Sequence, residues 1–355
     1  MSKLWSDLVQ QLDPYVPGEQ PKVSNLIKLN TNENPYPPSP KVQAVLSGFD
    51  ENSLRLYPDP NSQSLKQALA KQFSVNESQV FVGNGSDEVL AHAFVAFFKK
   101  DKPLLFPDIS YSFYPVYCNL FDIDFEKIAL DKSFSIQTKD YKKDCGGIIF
   151  PNPNAPTGKY LALDTVKTLA KEHSTVVVIV DEAYIDFGGD SAVALIDECP
   201  NIVIIQTFSK SRSLAGIRLG YAIAQPDLID GLERVKNSFN SYPINRLSEA
   251  AALASLNDQA YFESCRERVI ATRENTVEAL EALGFDILDS KANFVFAKPD
   301  LSKGVDSKTI FIALRERNII VRYFDKPRIS EYLRITIGTE DEMHTLIKAL
   351  QEILA

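Results

Sequence analysis

Short apolar runs that alternate with helical patterns are the feature that most restricts the fold of this chain. Helical patterns such as Leu65–Phe73 and Leu163–Glu172 separate several of them. Short strands that are apolar on both faces are typical of a mainly parallel sheet covered by helices on both sides. The sequence therefore predicts an α/β fold. The runs predicted as strands are Val80–Val82, Leu104–Phe106, Gly147–Phe150, Val176–Val180, Ile202–Thr207 and Leu219–Ala224.

The chain divides into three parts by pattern. Asn30–Pro38 is rich in Pro and Asn and predicts an extended arm rather than a helix. Beyond residue 225 long helical patterns dominate, one of which ends before Gly284, a residue suited to a helix C-terminus. We expect an N-terminal arm over residues 1–45, a large domain over 46–245 and a smaller α/β domain over 246–355. Before residue 225, Glu88–Phe98 is a further helical pattern. After residue 225 the patterns predict helices at Asp227–Asn237 and Asp258–Leu283, strands at Asn293–Ala297 and Tyr332–Ile337, and a last helix opened by the capping box of Thr339 and Glu342.

Composition excludes several classes of protein. The 355 residues carry a formal net charge of −9, which disfavours binding to nucleic acid or to an anionic membrane. The four cysteines are far apart and the three histidines stand alone, so neither a disulfide framework nor a metal site is predicted. No signal-peptide pattern opens the chain, and the run Val176–Val180 is too short to cross a bilayer. We expect a cytoplasmic protein.

A lysine just past a predicted strand is the strongest chemical signal. Thr207-Phe208-Ser209-Lys210 is followed by small and hydroxylated residues and then by Arg218. A lysine that attacks a carbonyl must lose its proton readily, and partial burial or nearby cations such as Arg212 and Arg218 favour that loss. Alone, such a lysine would indicate only a surface loop; the complete run favours an imine-forming residue.

Asp181 directly follows the predicted strand Val176–Val180, and Tyr184 comes three residues later. Ligands of open α/β sheets bind at the carboxyl ends of the strands, and a buried carboxylate there needs a cationic partner. A protonated pyridine nitrogen is such a partner, and Tyr184 could donate to a phenolate oxygen. The alternative is an acid that caps the following helix.

Two turns add weaker signals. Gly83-Asn84-Gly85-Ser86-Asp87-Glu88 leads into a helix, whose N-terminal N–H groups suit a phosphate. It lacks the Lys and Ser or Thr of a nucleotide-binding P-loop, and alone it indicates a tight turn. Asn152-Pro153-Asn154-Ala155-Pro156-Thr157-Gly158 follows a strand and can hold an asparagine towards a ligand, although alone it too indicates a plain turn.

Together these motifs resemble the fold type I pyridoxal-phosphate aminotransferases, and more closely the histidinol-phosphate aminotransferase family. The arm motif Leu29-Asn30-Thr31-Asn32-Glu33-Asn34-Pro35, the segment Arg55–Asp59 and the segment Tyr332–Thr339 extend the resemblance over nearly the whole chain. It implies a large domain with a mainly parallel seven-stranded sheet, a smaller C-terminal α/β domain, and an arm that packs on the small domain and on a partner subunit.

The resemblance also implies the role of each site residue. Lys210 carries pyridoxal 5′-phosphate as a Schiff base and moves protons, Asp181 pairs with the ring nitrogen, and Tyr111 stacks on the ring. Tyr184 and Asn154 bind its phenolic oxygen, although Ala155 stands where relatives often have Asn. The phosphate is held by Gly85, Ser86, Asp87, Ser209 and Arg218, and by Tyr57 from the neighbouring subunit, which implies a homodimer with shared active sites.

Substrate recognition is expected to rest on arginine, whose planar fork binds both carboxylates and phosphates. Arg334 matches the family's carboxylate-binding arginine and Arg322 matches one used on the substrate phosphate; each could instead form a surface ion pair. Asn32 of the arm, with Tyr15 and Tyr36, is expected to line the substrate pocket. The small-molecule partners implied are an amino donor and a keto acid.

The resemblance implies transamination between L-histidinol phosphate and 2-oxoglutarate, which gives imidazole acetol phosphate and L-glutamate in histidine biosynthesis. An aromatic amino acid aminotransferase on the same scaffold is the nearest alternative. A phosphothreonine decarboxylase would release carbon dioxide without consuming a keto acid. A cofactor-binding regulator ranks last, because the arm is too short and the chain too acidic for a DNA-binding domain.

Overall fold

The structure is a computed structural model that describes residues 3–16, 18–21 and 25–355. Its α-helices within these ranges are α1 Asp7–Gln11, α2 Pro40–Ser47, α3 Gln63–Phe73, α4 Ser86–Ala93, α5 Tyr114–Phe121, α6 Leu163–Glu172, α7 Pro226–Phe239, α8 Arg246–Leu256, α9 Gln259–Ala282, α10 Ser307–Glu316 and α11 Glu340–Leu354. Its strands are β1 Ile27–Lys28, β2 Val80–Gly83, β3 Leu104–Pro107, β4 Phe125–Ile128, β5 Gly147–Pro151, β6 Val178–Asp181, β7 Ile202–Thr207, β8 Gly220–Ile223, β9 Asp286–Ile287, β10 Phe294–Lys298, β11 Ile319–Ile320, β12 Arg322–Tyr323 and β13 Leu333–Thr336.

A seven-stranded sheet organises the larger part of the chain. Its strand order is β2-β8-β7-β6-β5-β3-β4, and only β8 runs antiparallel to its neighbours. The predicted α/β fold with a mainly parallel seven-stranded sheet is thereby confirmed. The carboxyl ends of β5, β6 and β7 lie at one edge of the sheet. This edge carries Asp181 as the last residue of β6, and Asn154 and Lys210 on the loops that follow β5 and β7.

The sheet is buried on both faces because its strands are apolar at successive positions. Val178 and Val180 point into one core with helices α3, α6 and α8, whereas Ile179 points into the opposite core with α4, α5 and α7. Side chains that alternate in direction along a strand produce this division. Helices therefore cover both faces, as the apolar runs predicted.

A second, smaller group of elements holds its own core. The antiparallel sheet β12-β13-β10-β9 packs with α9, α10 and α11, and β1 from the arm pairs in parallel with β11. The predicted domain boundaries stay a prediction. The buried alanines of α8 belong to the core of the large sheet, which favours a second boundary after residue 256. Among the described residues, no helix combines the length and the apolarity needed to span a membrane.

Several elements differ from the sequence expectation, and helices α2, α5, α8 and α10 were not predicted. The strand predicted from Val176 begins at Val178, and the helix predicted from Glu88 begins at Ser86 and changes at Phe94 into a π-helical turn. Strand β4 was not predicted, because its central residues are exposed at the sheet edge and interrupt the apolar run. The arm over residues 30–38 contains no helix, as expected.

Candidate active site

Asp181 lies at the end of β6 with its carboxylate inside the protein. Its Oδ2 accepts a hydrogen bond of 2.9 Å from Tyr114 Oη, while Oδ1 is buried without a partner. Burial raises the pKa of Asp181 to about 6, and the hydrogen bond from Tyr114 opposes that rise. A buried acceptor without a partner is costly, so this oxygen fits a cationic N–H donor supplied by a ligand.

Lys210 lies three residues beyond the end of β7. Its Nζ donates to the backbone carbonyl of Thr31 (3.2 Å) and lies 5.7 Å from the centroid of the Tyr184 ring. Tyr184 Oη accepts a 3.0 Å hydrogen bond from Asn32 Nδ2. The predicted lysine and tyrosine therefore lie close together, and both contact residues of the N-terminal arm.

Residues 30–34 of the arm, here called the linking segment, contact several predicted site residues in turn. Asn30 O accepts from Arg334 Nη2 (2.7 Å), Thr31 O accepts from Lys210, and Asn34 Nδ2 donates to Lys210 O (3.0 Å). The segment thus joins the lysine of the large sheet to the arginine of the small one.

Asn32 lies at the centre of the linking segment and adopts a left-handed φ of +57°. Its Nδ2 donates to Tyr184, its Oδ1 accepts from Thr336 Oγ1 (3.0 Å), and its carbonyl accepts from Asn293 Nδ2 (3.0 Å). Asparagine tolerates this backbone conformation better than most residues. These contacts suit a residue that orients Tyr184, and the predicted contact of Asn32 with substrate stays a prediction.

The N-terminus of α4 forms a cradle with the neighbouring strand β8. Gly85 precedes the helix with φ +83° and offers no side chain to its first N–H groups. Gly220 approaches so closely that an added Cβ would lie 2.6 Å from the carbonyl carbon of Gly85 and would overlap Ser86 N. Free helix N–H groups beside a glycine, which has no side chain to block them, suit a phosphate.

Asp87 connects the cradle to the aromatic side of the site. Its carboxylate pairs with Arg218 Nη2 (3.0 Å) and accepts from Tyr111 Oη (3.0 Å), and its carbonyl accepts from Tyr117 Oη (2.8 Å). Burial, with the nearby Asp87 charge, raises the pKa of Tyr111, so its hydroxyl stays protonated and donates. The carboxylate of Asp87 therefore orients a cation and an aromatic ring.

Ser209 and Asn154 are both buried near the strand ends. Ser209 N donates to Thr207 Oγ1 (3.1 Å), which in turn lies 2.9 Å from Ser209 Oγ. Asn154 Nδ2 donates to Ile109 O (3.0 Å) and to Thr157 Oγ1 (2.9 Å), and its Oδ1 is buried without a partner. The amide thus presents an acceptor, and a contact with a phenolate would require release of one Nδ2 hydrogen bond.

Arg322 and Arg334 lie directly opposite each other in the antiparallel pair of β12 and β13. Both guanidinium groups lie over the ring of Phe324, at 5.4 Å and 5.6 Å, and Arg334 Nε is buried without a partner. Within the described chain, their contacts are with rings and one backbone carbonyl rather than with a carboxylate. Burial and the neighbouring Arg322 lower the pKa of Arg334, against the opposing effect of Tyr184.

These residues fit the cofactor implied by the sequence resemblance. The unpartnered Oδ1 of Asp181 accommodates a ring nitrogen that carries a proton. The Gly85–Gly220 approach and Arg218 accommodate a phosphate. No group of His, Cys, Asp and Glu side chains suited to a metal ion occurs among the described residues.

Three predicted residues lie at the margin of this arrangement. Tyr15 packs on Phe113 at 4.8 Å between ring centroids, and Phe113 in turn stacks on Tyr111. Tyr57 is 76% exposed and stacks on Tyr242. Arg212, expected beside Lys210, instead donates to Ser255 O and lies over Phe262.

Sequence reasoning missed Tyr114, because a buried tyrosine resembles any core aromatic. Its spacing of three residues from Tyr111 was the one available signal. Tyr36 is buried beneath Arg268, whose guanidinium lies 4.0 Å from its ring, and its Oη is without a partner. Its place in the substrate pocket stays a prediction.

Comparison with known proteins gives concordant matches. The model of the class I and II aminotransferase family matches residues 24–350. The chain is 58% identical over 354 residues to histidinol-phosphate aminotransferase 1 of Hydrogenovibrio crunogenus, covering 100% of this chain and 99% of the relative. It is 56% identical over 353 residues to the histidinol-phosphate aminotransferase of Chromohalobacter salexigens, covering 99% of each. The solved histidinol-phosphate aminotransferase of Sinorhizobium meliloti, in complex with pyridoxal-5′-phosphate, is similar in fold with a TM-score of 0.88, 23% identity, and coverage of 100% and 98%.

Proposed function

The chain belongs to the histidinol-phosphate aminotransferases of the class I and II aminotransferase family, and we propose that it transfers an amino group between L-histidinol phosphate and 2-oxoglutarate. The products are imidazole acetol phosphate and L-glutamate, and the reaction belongs to histidine biosynthesis. The observation that carries the proposal is the pair Arg322 and Arg334, two facing cations without a carboxylate partner in the described chain.

The cofactor of the family is pyridoxal phosphate, which when bound withdraws electrons from the carbon that carries the substrate's amino group. Asp181 would keep the ring nitrogen protonated through its free Oδ1, and Tyr111 would stack on the ring. Ser86, Asp87, Ser209 and Arg218 would hold the phosphate, with Gly85 shaping the turn. Tyr184 and Asn154 would orient the phenolic oxygen.

Lys210 is the proposed base of the reaction. Its Nζ would remove the proton from the substrate α-carbon and return a proton to C4′ of the cofactor. In the structure this amine lies against Thr31 O and near the Tyr184 ring, so it has a defined resting position. In this proposal the linking segment orients the base towards the ring that Asp181 and Tyr111 would hold.

The arginine pair explains how one pocket accepts two substrates. Histidinol phosphate presents a phosphate and no carboxylate, whereas glutamate presents two carboxylates. Arginine binds both groups through two parallel hydrogen bonds. Arg334, with an unpartnered Nε, and Arg322, opposite it, form a site for a doubly charged group. Asn32 and Tyr15 line the neighbouring wall in this proposal.

A homodimer with shared active sites is part of the proposal. Tyr57 is 76% exposed and stacks on Tyr242, and Leu54, Leu56 and Phe239, which lie within three residues of one of these tyrosines in the chain, are also exposed. Large apolar side chains that cluster on a surface mark an interaction site. A second copy that covers this patch would bring Tyr57 to the phosphate cradle of the partner. We further propose a cytoplasmic location, because all four cysteines are buried and free.

A steady-state comparison of substrates tests the proposal. The purified protein should transfer amino groups from histidinol phosphate to 2-oxoglutarate more efficiently than from phenylalanine or tyrosine. Arg322→Ala should lower kcat/KM for histidinol phosphate by at least ~10-fold more than for phenylalanine, since a hydrogen-bonded charged pair contributes ~1.5–3 kcal/mol. Arg317→Ala is the control, because this arginine lies at the C-terminal end of α10, where it donates to Ala313 O (3.0 Å) and forms a 3.9 Å ion pair with Glu352.

The alternatives predict different products. Equal turnover of phenylalanine and histidinol phosphate would identify an aromatic amino acid aminotransferase. Carbon dioxide released from phosphothreonine without consumption of 2-oxoglutarate would identify a decarboxylase. The identity to histidinol-phosphate aminotransferases over the full chain favours neither.

A further inference from the structure

Asp181 is held on one side by a residue to which no role has been assigned above. Tyr114 opens helix α5, is fully buried, and donates from Oη to Asp181 Oδ2 at 2.9 Å. The other carboxylate oxygen is buried without a partner. One oxygen is thus fixed by the protein, and the second is left for a ligand.

We propose that Tyr114 is a positioning residue that orients Asp181 and keeps its carboxylate ionised opposite the ring nitrogen of pyridoxal phosphate. This inference rests on the proposed role of Asp181. A carboxylate bound through one oxygen cannot rotate freely, so its free oxygen keeps one direction. A hydrogen bond to the charged form also favours that form over the protonated one.

The surroundings of Tyr114 suit this role. Its ring packs against Phe94, Phe106 and Tyr111, so the hydroxyl has a fixed position, and it lies perpendicular to the Tyr111 ring with 5.6 Å between the centroids. Burial and the charge of Asp181 raise the pKa of Tyr114 well above its usual range, so the hydroxyl remains a donor. Desolvation acts in the opposite direction on Asp181 and raises its pKa. The tyrosine hydroxyl is the side-chain donor that counteracts this effect.

Tyr114→Phe removes only the hydroxyl and tests the proposal through binding of the cofactor. The dissociation constant is measured for pyridoxal phosphate and for its 1-deaza analogue, which lacks the ring nitrogen. We expect affinity for pyridoxal phosphate to fall on the order of 10-fold, as a lost hydrogen bond to a charged group implies. Affinity for the deaza analogue should change less than about 2-fold on the same scale. When ¹⁵N-labelled pyridoxal phosphate is bound to Tyr114→Phe, its ring-nitrogen resonance should be displaced, relative to the wild-type complex, towards that of a neutral pyridine.

Tyr117→Phe is the matched control. Tyr117 lies one turn further along α5 and is also buried, but its hydroxyl donates to the carbonyl of Asp87. This variant should affect the two ligands equally and leave the ring-nitrogen resonance in place. Equal losses for both ligands in Tyr114→Phe, or an unchanged resonance, would overturn the proposal.

Asp181→Asn separates this inference from the proposed function. If Asp181→Asn weakens the binding of both ligands equally, the proposed role of Asp181 itself is wrong. If Asp181→Asn weakens pyridoxal phosphate more than the deaza analogue and Tyr114→Phe does not, only the role of Tyr114 is wrong. In the Asp181→Asn background, adding Tyr114→Phe should cost no further affinity for pyridoxal phosphate, and a further loss contradicts the coupling even if Tyr114→Phe alone does not fold.

Discussion

Gly220→Ala should disrupt the phosphate cradle specifically. Gly220 lies on β8 opposite Gly83 and Thr207, and its added Cβ would lie 2.6 Å from the carbonyl carbon of Gly85, where real Cβ atoms stay beyond 3.0 Å. The atoms in conflict are backbone atoms, and Ser86 N is one of them, so no side-chain rotation relieves the overlap. The N-terminus of α4 has to move away from the strand.

The magnitude follows from the cost of inserting a methyl group into a packed region, ~1–3 kcal/mol. Part of that cost lowers the free energy of unfolding. The other part weakens phosphate binding, because the N–H groups of α4 are displaced. Each 1.4 kcal/mol lost from phosphate binding raises the dissociation constant ~10-fold. We therefore expect Gly220→Ala to bind pyridoxal phosphate at least ~10-fold more weakly than the wild type. Its affinity for pyridoxal, which lacks the phosphate, should hardly change.

The assay is a titration of cofactor-free protein with pyridoxal phosphate and with pyridoxal, followed by absorbance, together with thermal unfolding. Gly216→Ala is the control, because it lies in the preceding turn and its added Cβ meets no atom within 4 Å. A Gly220→Ala protein that binds pyridoxal phosphate as well as the Gly216→Ala protein would refute the assignment of the cradle. Equal weakening of both ligands would show a general loss of structure instead.

Three further predictions concern the lysine, the aspartate and the exposed tyrosine. Borohydride should attach the cofactor covalently to the wild-type chain and to Lys143→Ala but not to Lys210→Ala, as intact mass would show. The raised pKa of Asp181 means that the folded chain keeps this proton to higher pH than the unfolded chain, so the stability of cofactor-free protein should fall as pH rises from 3.8 to about 6, by roughly 3 kcal/mol. Asp181→Asn should remove this fall in urea titrations at successive pH values, and an unchanged slope would contradict it. Tyr57→Ala should leave sedimentation as a dimer largely intact and yet weaken pyridoxal phosphate binding, whereas Phe239→Asp on the same patch should yield monomers.

The parts of the site that sequence predicts well are those set by local pattern. Strand β7 and helix α6 have the predicted bounds, because a continuous apolar run and a 3.6-residue period identify each without knowledge of its neighbours. Asp181 and Lys210 follow such strands and were placed correctly at their ends. The position of each in the chain was enough to predict its side of the sheet.

The parts that sequence could not predict depend on partners distant in the chain. The antiparallel direction of β8 is invisible in its apolar residues, and the edge strand β4 lacks an apolar run altogether. Tyr114 donates to a residue 67 positions away, and Asn32 N donates to Thr336 across 304 positions. No local period encodes such pairs, so the orientation of Asp181 and of Tyr184 emerged only from the structure.

The linking segment has a consequence for how the protein is made. Together with β1, it contacts β11 and β13, through Ile27 opposite Ile319 and Asn32 beside Thr336. A ribosome synthesises those partners some 300 residues later, and Arg334 is among them. All strands of the seven-stranded sheet are therefore synthesised before Arg334 and Thr336. The linking segment can form its hydrogen bonds with these two residues only after β13 has been made.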